Sequence, residues 1–524
     1  AILDELTPEL CIAITQQADA AEKLRELHRH NLFLVSVGDG TYRYHALFQD
    51  FLQTFLKHDQ PTLLKTLHRR AADAHSMPYR KIHHYLAAEA WEPAVGLISR
   101  YGRRLIEHSN RSIVQDWLSR LPEAVLDQAG WLIYLQGVLA YHRGDFEMAT
   151  RLFEQAEGQF QKESESEGCF ESVLMQSACD FEEDNFEKQL DYVRRMDAYM
   201  TNDAQRVERE LFLAWAYLYF GRRSESAQHF CNSLDYLMAA PQKAGFVGFQ
   251  IAAPICIVFD NLSQLRSRLQ HVLRMLGQDV HIFAASTHSI LATIALWQGD
   301  ITQAETELET CLSIWKHLGG INVMHQNIVK TIQLVLASLL NDDATIETMT
   351  QPYRDQPQSH MNVALIRARW AWLKDDKVEA RYILNHMPPM SELESSNLGS
   401  AYRICIESLC ALGDGTFEQV EPQLLHYVHR QRDERSFYSL YLLDLRVTLA
   451  YCYLNVGLHN EALDVIRALM NDYAPQAVPG RLAQEGEYIV PLMELAIAHQ
   501  IYPQFAMSVL ALLRPNHEPQ PLHI

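Results

Sequence analysis

Breaks between helical stretches recur along this chain at Gly144, Asp184, Gly221, Asp260, Gly299, Asp375, Gly415 and Gly457, with a weaker one near Asn341. Neighbouring breaks stand about 34 to 42 residues apart, the period of arrays built from helix-turn-helix units. The best-defined unit is WLIYLQGVLAYHRGDFEMATRLFEQAEGQF, residues 131–160. Leu132, Leu135, Leu139 and Ala140 recur at helical spacing, and Gly144 can take the left-handed conformation that ends the helix. Asp145 offers a side-chain oxygen to the next helix, whose buried face is Phe146, Ala149, Phe153 and Ala156. One such hairpin cannot bury both faces by itself, so it needs neighbours on each side.

Gly137, Gly144, Ala149, Phe153 and Ala156 stand in register with the tetratricopeptide repeat. Further copies are LYFGRRSESAQHF (218–230), LWQGDITQAETEL (296–308) and LNVGLHNEALDVI (454–466), each with Ser or Ala five residues after its glycine. The expected fold is all-α: a right-handed superhelix of about ten such hairpins, preceded by a small winged-helix domain.

Composition narrows the function classes. The 524 residues would suggest several domains, but arrays grow in one dimension and defeat that reckoning. No apolar run is long enough to cross a membrane and no signal-peptide pattern opens the chain, so no membrane contact is expected. Nine cysteines without a C-x-x-C pair favour reduced thiols and a cytoplasmic setting. A net charge of −20 argues against broad nucleic-acid binding by this chain. Since the first residue is Ala1, the numbering is expected to begin inside a longer product or after processing.

In chain order, residues 1–57 depart from the repeat. Thr7-Pro8-Glu9 opens a helix with Thr7 as N-cap, and a second helix spans roughly Ala18 to His30, with Leu24 and Leu27 inward. In NLFLVSVGDGTYRYH, Leu32 to Val35 is strand-like, Gly38-Asp39-Gly40 is the turn and Tyr42-Arg43-Tyr44 returns. ALFQDFLQTFL then forms an amphipathic helix, which completes a winged helix with only modest basic excess on its second helix. Residues 58–125 read as a connecting helical arm, with a tight turn at Trp91-Glu92-Pro93-Ala94. The repeats occupy 126–473. From 474 to 524, APQAVPGRLAQEGE interrupts the period and leads into two capping helices, and the tail after Arg514 reads as the start of a linker.

LDELTPEL, LRELHRHNLFLVSVGDGTYRYHALFQDFL, LHRRAADAH and IHHYLAAEAWEPAVGLI follow one another in an order that resembles MalT-like regulators. These are bacterial signal-transducing ATPases of the STAND type that often end in a LuxR-type helix-turn-helix. The closing EGEYIVPLMELAIAHQIYPQFAMSVLALL is also similar to them, whereas the middle repeats share only phase and architecture. No G-x-x-x-x-G-K-[ST] and no closing helix-turn-helix occurs here. The resemblance therefore implies the arm-and-sensor portion of such a regulator, which receives an inducer and controls ATP-dependent self-assembly. ATP or ADP would belong to an N-terminal domain not in this chain, and DNA contact to another such domain.

The inner face of the array would present Trp131, Tyr134, Tyr141 and His142, then Trp215 and Tyr219, Trp297, Arg369 and Trp372, and Tyr451. Aromatic planes with a few polar partners suit a small inducer or a peptide, although several of these rings could equally fill packing between repeats. A protein–protein scaffold is the competing reading. His45 stands where the wing runs into the next helix. The resemblance implies that it reaches the phosphate of bound ADP, while a purely structural tie between wing and helix is the alternative. His68, His75, His83 and His84 are imaginable metal ligands, but partly exposed or core histidines are the commoner reading, and no catalytic motif is found.

Overall fold

The computed structural model describes residues 1–30, 32–38, 40–107, 111–182, 188–239, 253–277, 282–318, 323–355, 361–393, 399–433 and 439–513. The break at Asp184, the turn residue Asp39 and the tail from Arg514 onward lie outside them. The chain forms two compact units, Ala1–Cys179 and Asp180–Ile524.

The first unit opens with α1 (Pro8–Thr15) and α2 (Ala20–Arg29), then β1 (Leu34–Gly38) paired antiparallel with β2 (Thr41–Tyr44). Thr7 accepts from the Leu10 amide at 3.3 Å, the cap its position implies. Leu6 forms an isolated bridge with Tyr42, so the chain start adds a third short edge to the wing. The wing begins later than expected. Phe33 has φ +54° and Leu32 lies outside the strand, because a left-handed residue breaks the extended run before Leu34. Next come α3 (Ala46–Asp59), α4 (Pro61–Ala74), α5 (Pro78–Ala87), α6 (Trp91–Glu107), α7 (Arg111–Ser119) and α8 (Glu123–Leu126). Ala71 of α4 packs in the same core as Ile2, Leu3, Leu6, Leu24 and Leu34, so the winged-helix core draws on residues past 57. Trp91 to Ala94 form the first turn of α6 rather than an inter-helix turn. The reversal comes earlier, at Glu89, with φ +54°. Then α9 (Gly130–His142) and α10 (Phe146–Glu163) form the first hairpin, followed by α11 (Ser166–Glu182).

Among the described residues, the regular elements of the second unit are all helices. It comprises α12 (Gln189–Tyr199), α13 (Asp203–Tyr219), α14 (Arg223–Ala239), α15 (Leu262–Leu276), α16 (Ile282–Gln298) and α17 (Ile301–His317). These are followed by α18 (Val323–Leu339), α19 (Asp343–Thr350), α20 (Met361–Leu373), α21 (Lys377–His386), α22 (Met390–Leu393) and α23 (Gly399–Asp414). The last six are α24 (Phe417–Asp433), α25 (Leu445–Asn455), α26 (His459–Tyr473), α27 (Pro479–Ala483), α28 (Val490–Ala498) and α29 (Pro503–Leu513). Successive helices pack as hairpins: α13 on α14, α16 on α17, α18 on α19, α20 on α21, α23 on α24 and α25 on α26.

One local rule writes these hairpins. Gly144, Gly221, Gly299, Asn341, Asp375, Gly415 and Gly457 all take positive φ, the left-handed stop that ends the first helix. At four of them an aspartate follows, and Asp145, Asp300, Asp342 and Asp376 each accept the amide three residues on, capping the second helix. One turn into that helix, Ala149, Ser226, Ala304, Ala380 and Ala462 are buried, letting the two helices approach closely. Before the break at Asp260 the described residues form a 3-10 turn, Ala253–Val258.

Candidate functional site

His45 is the N-cap residue of α3, and its side chain makes no capping bond there. Its amide donates to the Phe33 carbonyl at 2.8 Å and its carbonyl accepts from the Phe48 amide at 2.9 Å. The backbone thus ties wing to helix and leaves the imidazole exposed at a helix N-terminus.

Four of the expected groove residues lie on α9. Trp131 stands edge-on to Phe160, Tyr134 is tilted against Phe153, and Tyr141 meets Phe146. Tyr134 also donates to Glu171 at 3.4 Å, and Arg103 lies over the Trp131 ring. His142 is half-buried, with Nδ1 lacking a partner. Burial, then Arg111, holds its pKa down to about 4. These contacts are within and between adjacent helices of one stack.

The histidines of α4 and α5 form a second group. His68 Nδ1 and His84 Nδ1 are 2.9 Å apart, and His75 stacks on His84. Burial first, then the neighbouring positive groups, brings His68 down to about 4 and His84 to about 3. Among the described residues no group of three or more His, Cys, Asp or Glu is arranged to hold a metal ion.

In the second unit, Trp215 and Tyr219 are buried one turn apart on α13, and Trp372 lies under the Lys377 ammonium. The other three candidates meet a segment that sequence reasoning took for an interruption. Residues 474–489, between α26 and α28, lie as a strap across α16, α20 and α25. Trp297 Nε1 donates to Gln484 Oε1 at 2.9 Å, and Gln484 Nε2 donates to the Tyr441 carbonyl at 2.9 Å. Arg369 donates to Glu485 at 2.9 Å and lies over the Tyr488 ring, which Tyr451 meets edge-on. The approach of α27 to α16 is so close that a Cβ on Gly480 would stand 1.8 Å from the Leu296 carbonyl oxygen.

Polar side chains that ordinarily face water are buried along this strap. Arg481 is 2% exposed and Glu485 1%. Arg481 donates to Glu485 Oε1 at 3.0 Å and to the Leu440 carbonyl, and lies over both Trp297 and Tyr473. Glu485 also accepts from the Asp444 amide at 2.8 Å. Asp444 accepts from Arg446 Nε at 3.0 Å and Nη2 at 2.7 Å, and from the Tyr473 hydroxyl at 2.8 Å. Burial opposes the charge of Asp444, yet Arg446 and Arg481 bring its pKa down to about 2.

Beside the strap lies a cavity of about 470 Å³. Trp297, Phe259 and Tyr473 supply aromatic wall, and the buried Arg446, Arg481 and Val478 also line it. Arg432 also lines it, half-exposed, and shares Asp472 with Arg446. Of the ten groove candidates only Trp297 lines this cavity. Sequence reasoning missed Arg446, Tyr473 and Arg481. The usable signal was the failure of the period itself, where Arg481, Gln484 and Glu485 stand shortly before the strongly apolar α28.

These features define a protein with an N-terminal winged helix and a stack of helical hairpins. Residues 1–64 match the MalT winged helix domain. Over 166 residues, 31% of this chain and 18% of the relative, the protein is 28% identical to the HTH-type transcriptional regulator MalT of Vibrio parahaemolyticus. The MalT regulators of Klebsiella pneumoniae and Serratia proteamaculans are 27% and 29% identical, over 34% and 30% of this chain and 20% and 18% of theirs. The likeness thus spans about a fifth of the length of these curated relatives. No described helix is long and apolar enough to cross a membrane.

Proposed function

We propose that this chain is the signal-receiving portion of an ATP-dependent transcriptional regulator, and that a small inducer bound in its second unit controls self-assembly of the intact protein. The observation that carries this reading is the cavity beside the strap: its size suits a small ligand, and it combines aromatic wall with a few converging charged groups. Support comes also from the likeness to proteins named as HTH-type transcriptional regulators. In this reading DNA is contacted through a domain outside the chain, and nucleotide through another. The exposed His45 imidazole would then donate to a phosphate of bound ADP, helped by the α3 N-terminus.

One observation favours a protein partner instead. The strap shows that α16, α20 and α25 accept a further segment of polypeptide, so a partner peptide that displaced residues 474–489 would find the same bonds. Screening the isolated chain for ligands by thermal shift, with sedimentation of the intact regulator at each hit, separates the two. A small molecule that stabilises the chain and changes the regulator's assembly supports the first reading. Stabilisation only by peptides supports the second.

A further inference from the structure

We infer that the cavity beside the strap takes a small organic anion: a carboxylate or phosphate monoester on an apolar or ring-shaped body. This rests on the reading of the second unit as a ligand sensor and names the chemistry of its ligand. The first argument is charge. Among the described residues, the network around the cavity holds the guanidiniums of Arg369, Arg432, Arg446 and Arg481 against the carboxylates of Asp444, Asp472 and Glu485. One positive charge is left over, in a chain whose net charge is −20. The rim pair of Arg223 and Asp260, 2.9 Å apart, adds nothing to either side.

The second argument is where the surplus sits. Asp472 serves two guanidiniums, at 2.6 Å from Arg446 and 3.5 Å from Arg432. The longer of these pairs belongs to Arg432, whose side chain is 49% exposed while that of Arg446 is 7% exposed. A carboxylate or phosphate entering the cavity can take both donors of that planar fork, which a single shared aspartate oxygen cannot satisfy. The third argument is the wall. Trp297, Phe259 and Tyr473 offer ring surface for an apolar body, and about 470 Å³ is room for a small metabolite. Because Gln476, Val478 and Arg481 also line the cavity, a ligand there touches the strap directly.

The test uses this chain with aliphatic and aryl monocarboxylates and phosphate monoesters, each beside its neutral amide or alcohol. Thermal shift and tryptophan fluorescence report binding. At least one anion should bind, its neutral counterpart at least about tenfold more weakly, with affinity falling as salt is raised. Whichever head group binds identifies carboxylate or phosphate. Arg432→Gln, at a half-exposed site that leaves the core untouched, should weaken the anion by about tenfold, whereas Arg381→Gln should not. Equal binding of the neutral counterparts, or an unaffected Arg432→Gln, overturns the anion assignment and leaves the sensor reading standing. Failure of every anion overturns the assignment as well. If a broad neutral library then fails too, the small-molecule sensor reading falls with it.

Discussion

At Gly480 a single methyl group decides whether the strap can lie down. A Cβ there would meet a backbone oxygen, which cannot rotate aside as a side chain can. Gly480→Ala should therefore cost about 1–3 kcal/mol of second-unit stability, seen as a lower urea midpoint. Glu485→Gln tests the other anchor. It removes the charge that serves both Arg369 and Arg481, and leaving buried guanidiniums short of a partner costs roughly 3–5 kcal/mol. A loss below 1 kcal/mol would mean that water, not Glu485, satisfies these groups. In the first unit, His68, His84 and His142 have folded pKa values below the ordinary histidine value of 6.5. Unfolding therefore takes up protons once the pH falls below about 6.5, and stability falls with it until the folded values near 3 to 4 are reached. Thermal unfolding should show first-unit stability present at pH 7.5 and reduced at pH 5, with the loss lessened in His84→Leu.

At the scale of elements, α3 is the exception among the helices. Leu47, Phe51 and Phe55 follow one another at intervals of four residues and are 76%, 62% and 47% exposed. The periodicity that makes a helix amphipathic is present, but nothing in the described unit lies over that stripe. Phe33 and Val35 of the wing, 59% and 54% exposed, extend the apolar surface. Such a surface binds apolar dyes and promotes association. Phe51→Ser should lower dye binding and self-association measured by light scattering, while changing unfolding free energy by no more than about 0.5 kcal/mol. A large loss of stability would show that Phe51 packs inward. The repeat hairpins behave in the opposite way, since each buries its inner positions against the next. On the first helix of the best-defined hairpin, Gly137 is needed because Phe153 of the second fills the space beside it: a Cβ on Gly137 would stand 2.7 Å from that ring.

For the whole molecule, each compact unit has its own set of buried residues and its own buried charges. What the sequence determined by itself was everything set by local chemistry. Glycine, asparagine or aspartate in the left-handed position, followed by a capping aspartate and a small residue one turn on, marks a helical hairpin without reference to the rest of the chain. The same local logic placed Thr7 as a cap and located the wing, and it failed by two residues at Leu32 and Phe33, where a left-handed backbone overrode strand-forming side chains. Tertiary structure alone decided the fate of residues 474–489. Read by composition, Arg481, Gln484 and Glu485 belong in water, since burying such groups is costly unless each finds a partner. Their partners are Arg369, Trp297, Leu440 and Asp444, which lie far from them in sequence and come within hydrogen-bonding reach only when the repeats have stacked. The cavity belongs to the same category. Its aromatic and guanidinium walls come from the turn before α15, from α16, α24, α25 and α26 and from the strap, and no spacing rule along the chain connects them.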